Sequence, residues 1–300
     1  MNQQTKAYWF AAGAVLFWST VASAFKLSLH YLEPLQLVLL ASTFSVVALF
    51  FVLLVQKKIN LLLKVPKKQL FFCFILGLLN PCLYYAVLFE AYDRLTAQEA
   101  MSINYSWPAM LVILSSLFLK QKIRLIELAA IGIAYLGVVI IATEGKLSSL
   151  DFNDPLGVGL ALASTVIWAT FWLLNVKQTA DPVVMLFFSF LLALPLLFLA
   201  VYIVAPIDSI SIQGLLGAAY VGFFEMGITF TLWLGALKLT DTTAKVSTLV
   251  FITPFLSLVV IHAVVGEPIV PATVLGVTLV VAGIALPTLL RKQPRTGINS

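Results

Sequence analysis

The feature that most constrains this chain is a series of long apolar stretches separated by short polar connections. Ten stretches are about 20 residues long, the length that an α-helix needs to cross the roughly 30 Å hydrocarbon core of a bilayer. Segments in lipid must be helical, because lipid cannot satisfy the polar groups of an open backbone. We therefore predict an all-α membrane protein with spans at about 8–28, 35–55, 69–90, 97–119, 123–143, 155–176, 183–204, 213–236, 243–265 and 270–290.

Composition agrees with a chain that lies in the lipid bilayer. Hydrophobic residues make up 61% of the sequence and charged residues 10%, whereas a soluble domain carries about 25% charged residues. The ten spans leave no room for a separate soluble domain. The net charge of +5 forms no basic stripe on a folded domain, so we predict no nucleic-acid partner.

The basic residues predict how the chain crosses the membrane. If the N-terminus lies inside, 14 of the 18 Lys and Arg residues fall in cytoplasmic segments, and the outer connections hold only Arg94 and Lys146. Because basic residues favour the cytoplasmic side, we predict an even number of spans with both termini cytoplasmic.

A proline-containing helix occurs twice and indicates a duplicated chain. The stretches Leu95–Lys122 and Leu239–Glu267 both open with Leu-Thr, carry small polar residues in their first turns, and contain a proline near their middle, Pro108 and Pro254. These two prolines are predicted to kink their helices.

The duplication predicts two halves of five spans each. Five is odd, so the second half must enter the membrane in the opposite sense, an inverted repeat that many secondary transporters use. The predicted division is 1–145 for the first repeat, 155–290 for the second and 291–300 for a cytoplasmic tail.

Glu225 is the only acidic residue near the middle of a predicted span. A charge at this depth is costly and indicates a functional role. Thr229 and Trp233 share its helix face at helical spacing. We expect these side chains to line a cavity in which Glu225 binds a cationic group or a proton. The alternative is a structural carboxyl that is protonated or hydrogen-bonded between helices.

The matching stripe in the first half carries Asn80 and Tyr84 in place of the acid. Pro81 removes one backbone donor and frees a carbonyl. This carbonyl either faces the substrate or is the product of a simple helix kink.

Several aromatic residues are further candidates for the cavity wall. Asn104, Tyr105 and Trp107 lie beside Pro108, a cluster that suits a flat or amphiphilic substrate. Trp and Tyr also anchor helices at membrane interfaces, which is the alternative role. The same two interpretations apply to Trp18, Trp168 and Trp172.

Three charged residues near helix ends are candidates for gates or ion pairs. Glu99 lies in the first turn of the fourth span, where an acid suits the helix dipole, and Lys26 is its candidate partner. Lys245 near the inner end of the ninth span has Glu127 as a candidate partner, or it reaches the interface with its long side chain.

Small residues recur in the fifth and tenth spans, where they allow close helix approach. We interpret these spans as scaffold or as the surface of a homodimer. The glycines concerned are Gly132, Gly137, Gly276 and Gly283.

The sequence resembles the drug/metabolite transporter superfamily. The resemblance rests on the ten spans, the Trp in spans one and six, Asn-Tyr-Ser-Trp-Pro at 104–108, Thr-Pro at 253–254 and Gly-Glu-Pro at 266–268. The similarity is to its EamA-like ten-helix exporters and covers nearly the whole chain. The 95–122 stretch is also similar to the bacterial aromatic amino-acid exporter branch.

The resemblance implies a carrier in a bacterial inner membrane that exports amino acids, other metabolites or drugs. Spans 1–4 and 6–9 would line a central cavity, with spans 5 and 10 peripheral. The Gly-Glu that follows the ninth helix is present, whereas the position after the fourth helix reads Lys120-Gln121-Lys122. This departure puts a shared role of the acid in doubt.

We therefore predict a secondary transporter of small metabolites such as amino acids that works by alternating access. No G-x-x-x-x-G-K-[ST] sequence is present, so we expect no ATP hydrolysis, and we predict no metal or cofactor. The alternative is proton-coupled efflux of cationic lipophilic drugs through Glu225. More distant alternatives are an intramembrane enzyme, which lacks a recognisable catalytic motif here, and a non-transporting membrane sensor or assembly subunit.

Overall fold

The computed structural model describes residues 2–120, 122–146, 154–175, 180–207, 209–240, 246 and 248–290. Within these ranges the secondary structure is entirely helical. Eight helices are long and apolar enough to cross a membrane, and two further apolar helices are shorter. They are α1 (Gln3–Leu29), α2 (Pro34–Val55), α3 (Lys67–Arg94), α4 (Ala97–Leu119), α5 (Leu125–Ala142), α6 (Pro155–Asn175), α7 (Pro182–Val204), α8 (Ile212–Leu239), α9 (Thr248–Val264) and α10 (Pro271–Pro287).

These helices confirm the predicted all-α membrane fold. Each of the ten predicted spans overlaps one of them. The number of crossings stays a prediction, because α9 and α10 are shorter apolar helices than the other eight.

The sequence marks several helix starts with residues that satisfy the first backbone N–H groups. The side chain of Asn2 accepts from Thr5 N at 2.7 Å, and that of Ser211 accepts from Gly214 N at 3.1 Å. Thr96 and Glu99 form a reciprocal capping box at the start of α4. These caps fix where the chain leaves each connection and enters a helix.

The third helix of each half is irregular at its middle. α3 is kinked within Leu78–Leu83, and α8 contains a π-helical segment at Val221–Thr229. The first segment contains Asn80, whose backbone is not helical, and the second contains Glu225. Such segments are rare and often lie at functional sites.

The fourth helix of each half is interrupted just before its proline. α4 consists of Ala97–Asn104 and Trp107–Leu119, with Pro108 in the first turn of the second piece. α9 begins as a 3₁₀ turn and becomes α-helical at Thr253, next to Pro254. Proline fits the first turn because the amide hydrogen that it lacks has no partner there.

The helices of the two halves pack on one another in a reciprocal way. α1 packs on α8 and α9, and its counterpart α6 packs on α3 and α4. α2 packs on α8, and α7 packs on α3. The core is therefore built mainly from contacts between the halves.

Two of these helix–helix contacts are so close that only glycine fits. A side chain on Gly77 of α3 would collide with the backbone carbonyl of Ser189 in α7, and one on Gly222 of α8 would collide with that of Ala41 in α2. The two sites occupy corresponding positions in the halves.

α5 and α10 form a tightly packed pair. A Cβ on Gly137 would lie 2.5 Å from the carbonyl oxygen of Gly276, and one on Gly283 would lie 2.6 Å from that of Ala130. These glycines serve an interface within the chain, whereas Gly132 has open space around it. The predicted homodimer stays a prediction.

Gly137→Ala is expected to destabilise the folded protein, because the new methyl group forces the backbones of α5 and α10 apart. Overpacking of this kind costs about 1–3 kcal/mol. Gly132→Ala on the same helix is the control and should leave the melting temperature in detergent unchanged or slightly higher, because Ala favours helix over Gly. Equal melting temperatures for the two variants would contradict this interpretation.

Candidate functional site

A cavity of about 140 Å³ lies between six helices, α1, α3 and α4 of the first half and α6, α8 and α9 of the second. Its wall is mostly aromatic. The lining residues are Trp18, Val21, Ala22, Phe25, Tyr84, Leu88, Tyr92, Met101, Asn104, Tyr105, Trp107, Trp168, Trp172, Glu225, Phe230, Trp233 and Val250.

We predicted that certain side chains surround a cavity, and nine of them do line this one. A substrate-binding role for them stays a prediction. They come from both halves. They are Trp18, Tyr84, Asn104, Tyr105, Trp107, Trp168, Trp172, Glu225 and Trp233.

Asn80 and Thr229 lie outside this wall. Asn80 is fully buried at the kink of α3, where neither its side-chain oxygen nor its nitrogen has a hydrogen-bond partner among the described residues. Thr229 is also fully buried, and its hydroxyl donates to the carbonyl of Phe224 within the π-helical segment of α8. Asn80 lies at a kink with non-helical backbone, and the π turn of α8 shifts the helix faces at Thr229, so the spacing of a regular helix does not predict where these two side chains lie.

α2 and α7 contribute no side chain to the described wall. The resemblance had implied that spans 2 and 7 also line the cavity. They instead pack behind α8 and α3 through the close contacts at Gly222 and Gly77. α2 and α7 therefore hold the irregular helices α8 and α3 in place.

The aromatic rings form two groups around the cavity. In the larger group Tyr84 stacks on Trp168 with ring centres 4.5 Å apart, and Trp107 stacks on Trp172 at 6.4 Å. In the second group Trp18 and Trp233 lie 5.4 Å apart. Flat, polarisable surfaces therefore cover much of the wall, and such surfaces suit apolar rings and cations.

Glu225 is the one charged side chain of the described wall. The hydroxyl of Tyr85 donates to its Oε1 at 3.2 Å, and the indole of Trp18 lies beside the carboxyl group. Its Oε2 is buried and has no hydrogen-bond partner within the described part of the chain. Tyr85 and Trp18 therefore both hold the carboxyl group, and Oε2 is its unsatisfied atom within the described residues.

A second hydrogen-bonded group lies on the same wall. Asn104 donates from Nδ2 to the hydroxyl of Ser164 at 2.9 Å and accepts from the hydroxyl of Tyr84 at 3.4 Å. The bonds Asn104–Ser164 and Tyr85–Glu225 each join a residue of the first half to one of the second. A relative movement of the halves would have to break or remake them.

Lys26 closes one end of the six-helix arrangement. Its ammonium group donates to the carbonyl oxygens of Tyr92 and Leu95, both at 2.7 Å, and to that of Asp93 at 3.2 Å. The last carbonyls of a helix lack partners in the helix itself, and a cation is favourable there. Lys26 therefore fastens α1 to the end of α3.

Glu99 does not form the salt bridge with Lys26 that we predicted. Its Oε2 accepts from the backbone N–H of Thr96 at 3.0 Å and from the Thr96 hydroxyl at 2.8 Å. The capping box uses the acid locally, and the ammonium group of Lys26 donates to three backbone carbonyls instead.

Glu267 fastens the start of α4 at the same end. Its carboxylate accepts from the backbone N–H of Ala97 at 2.7 Å and from that of Gln98 at 3.2 Å. The side chain of Gln98 donates in turn to the carbonyl of Pro268 at 2.9 Å. The Gly-Glu-Pro sequence was visible as a motif, but the contact with α4 could not be predicted from it.

The opposite end carries a salt bridge between the halves. Lys58 Nζ lies 2.6 Å from Asp181 Oδ2, and Asp181 Oδ1 caps the start of α7. Burial disfavours the charged form of Asp181, but the charge and hydrogen bond of Lys58 outweigh it and lower the pKa of this carboxyl below its ordinary value. The ion pair links the α2–α3 connection to α7.

The predicted pair of Lys245 and Glu127 cannot be traced, because Lys245 lies outside the described residues. Glu127 is engaged elsewhere. Its Oε1 lies 2.7 Å from Arg124 Nη2, at the start of α5.

Two stretches of the chain, 5–143 and 155–289, match the same family model, that of the EamA-like transporter family. The chain belongs to the EamA-like transporter family. The match covers almost the entire sequence of this EamA-like transporter. The transporter class and the superfamily that we inferred from the motifs are thereby confirmed.

Relatives of this EamA-like transporter extend over most of its length. A protein of Clostridium kluyveri described as an uncharacterized transporter is 25% identical, with 93% of this chain and 91% of the relative covered. One of Archaeoglobus fulgidus with the same description is 26% identical, with 90% and 94% covered. A solved crystal structure is similar in fold with a TM-score of 0.67 and 22% identity, covering 95% of this chain and 97% of the other.

These descriptions carry no substrate, so the resemblance to the aromatic amino-acid exporter branch stays a prediction. No group of three or more His, Cys, Asp or Glu side chains that could hold a metal occurs within the described ranges of this EamA-like transporter.

Lys58→Met is expected to lower the melting temperature of this EamA-like transporter at neutral pH. Partly exposed pairs of this kind contribute about 0.5–1 kcal/mol. Because pairing lowers the pKa of Asp181, its stabilisation is present above the ordinary carboxyl pKa of about 3.9 and is lost as the pH falls through the lowered value. The difference between wild type and variant should therefore be full at pH 6–7 and shrink below about pH 4.

Lys64→Met removes an exposed cation of the same connection and serves as the control. A constant difference between wild type and Lys58→Met over the whole pH range would contradict the role of this ion pair.

Proposed function

We propose that the protein is a secondary transporter that moves small organic molecules by alternating access between two inverted five-helix halves. The observation that carries this proposal is the cavity itself, which three helices of each half enclose around one membrane-embedded carboxyl group. A site shared by two halves can open to either side when the halves move relative to one another.

Contacts between connections support ten crossings with both termini on one face of the membrane, which the distribution of basic residues assigns to the cytoplasm. Each contact joins two segments that this topology places on the same face of the membrane. On the cytoplasmic face these are Lys58–Asp181 and Gln4–Thr240, and on the outer face they are Gln36–Ala205, Arg94–Asp154 and Ala97–Glu267. A shift of one crossing between these partners would separate them by the thickness of the bilayer.

Corresponding features of the halves support the inverted repeat. Three features occur at matching positions in the two halves. They are the irregular segments of α3 and α8, the interruptions of α4 and α9, and the close contacts at Gly77 and Gly222. The two family matches divide the chain close to the predicted boundary between 145 and 155.

The proposed location is a bacterial inner membrane, and the proposed direction is export, both of which rest on the family resemblance. The first substrates to consider are small metabolites such as amino acids. Proton-coupled efflux of cationic compounds is the second, and it is favoured by Glu225 as the one charged group of the described wall. A proton and a cation that compete for one carboxylate would be exchanged across the membrane.

Alternating access is tested by labelling single cysteines from each side of the membrane. The chain has two cysteines, Cys73 and Cys82, so Cys73→Ser with Cys82→Ser provides the background. Met101→Cys and Val250→Cys then place thiols in the cavity wall on α4 and α9. A membrane-impermeant thiol reagent added to right-side-out vesicles should label Met101→Cys slowly in the closed state, because Lys26 and Glu267 hold the outer end together.

Adding Lys26→Met should raise the labelling rate of Met101→Cys from outside several-fold and lower that of Val250→Cys from inside, because it removes three hydrogen bonds that close the outer end. Lys146→Met removes an exposed cation assigned to the same face and is the control. Labelling from only one side in every variant would overturn alternating access.

Glu225→Gln should abolish the response of transport to a pH gradient while the protein still folds, because the amide keeps the shape of the side chain and cannot carry the proton. Uptake of radiolabelled tyrosine and of radiolabelled tyramine into proteoliposomes, corrected for protein-free liposomes, measures this for both substrate classes. Glu225→Asp keeps the carboxyl group and should retain part of the response. An unchanged response in Glu225→Gln would reject this role.

A further inference from the structure

Two buried polar atoms in the cavity wall have no hydrogen-bond partner among the residues that the structure describes, and together they indicate what the cavity binds. One is Oε2 of Glu225 in α8, and the other is Nε1 of Trp172 in α6. A buried polar atom without a partner is costly. The carboxylate oxygen needs a donor and the indole N–H needs an acceptor. A molecule with both groups would satisfy both atoms.

The charge of the wall selects the donor. Glu225 is acidic and none of the described lining residues is basic. An ammonium group is the donor that also neutralises the carboxylate, and charge-assisted hydrogen bonds of this kind are strong. A carboxylate on the same molecule would meet Glu225 with no cation of the described wall to compensate for the repulsion. The wall therefore favours a cation over a zwitterion.

The aromatic rings agree with a cationic ligand. The indole of Trp18 lies beside the carboxyl group, and the rings of Trp18 and Trp233 have their centres 5.4 Å apart. The faces of Trp and Tyr rings attract ammonium groups, most strongly when water is excluded. The stacked group of Tyr84, Trp168, Trp107 and Trp172 offers flat surface to the rest of the molecule.

We propose that the cavity binds a small organic ammonium ion that carries a hydrogen-bond acceptor and lacks a carboxylate, so that it takes an amine in preference to the corresponding amino acid. This inference rests on the proposed transport function and assigns its substrate class. Glu225 receives the ammonium group, and Trp172 donates to the acceptor. It favours a class of substrate different from the amino acids implied by the resemblance.

Three matched ligands separate the effects of the ammonium group, the hydrogen-bond acceptor and the carboxylate on binding. Tyramine has the ammonium group and a phenol oxygen, phenethylamine lacks the oxygen, and tyrosine adds the carboxylate. Binding of radiolabelled tyramine to the purified protein in detergent is measured with the other two as competitors. We expect tyrosine to compete about 10- to 100-fold more weakly than tyramine, because its carboxylate is repelled by Glu225. We expect phenethylamine to compete about 5-fold more weakly, as for the loss of a neutral hydrogen bond.

Three variants assign these differences to residues. Glu225→Gln should weaken tyramine binding about 10- to 100-fold. Trp172→Phe keeps a ring but removes the N–H, so it should make tyramine and phenethylamine equal competitors. Trp9→Phe changes an exposed tryptophan that does not line the cavity and is the control, in which the preference for tyramine should persist. The melting temperature of each variant shows whether it is folded.

Tyrosine binding as tight as tyramine, absence of tyramine binding to the wild-type protein, or an unchanged preference in Trp172→Phe would each overturn the proposal. The thiol-labelling experiment distinguishes the two levels of inference. Failure of tyramine binding with labelling from both sides would overturn the substrate class alone. Labelling from one side only would overturn the carrier function as well.

Discussion

Every backbone N–H and C=O group inside a bilayer must find its partner within the protein, because the hydrocarbon core offers none. This constraint explains where the irregular parts of this chain lie. The kink of α3, the π-helical segment of α8 and the interruption of α4 at Tyr105 and Ser106 all face the interior, close to the cavity and its aromatic wall. The helices on the periphery, α5 and α10, are regular and pack through small residues. Irregular backbone and polar side chains thus occur together in the one region where the protein, not the lipid, surrounds them.

The same constraint governs the ends of the cavity. The free carbonyls at the end of α3 are taken by Lys26, and the free amides at the start of α4 are taken by Glu267. These are interactions between charged side chains and helix ends, not ion pairs between side chains. A charged group that opens from such a site leaves backbone groups that water can satisfy. A gate built this way can therefore exchange protein partners for solvent at moderate cost.

Much of this architecture could be predicted from the sequence. The apolar stretches set the helical class, and the repeated Leu-Thr and proline pattern indicated two halves. Nine side chains of the described wall were named from charge, aromatic character and helical spacing. Asn80 and Thr229 lie outside the wall because a kink in α3 and a π turn in α8 change the regular helical spacing, and the apolar sequence around Thr229 carries no sign of that turn. The roles of Tyr85 and Ser164 were missed because they depend on partners more than 50 residues away in the chain. Glu267 was visible within a motif, but its contact with α4 requires the folded connections.

The reciprocal packing of the halves has a consequence for how the protein is made. α1 leaves the ribosome first, yet the helices that cover it, α8 and α9, belong to the last third of the chain. The first half therefore enters the membrane with Asn80 and Asn104 still without the second-half residues that surround them in the folded protein. Assembly of the core must follow insertion of the later helices. A chain that stops after the first five helices would keep its aromatic surface exposed to lipid, and such an incomplete product is a natural target for membrane proteases.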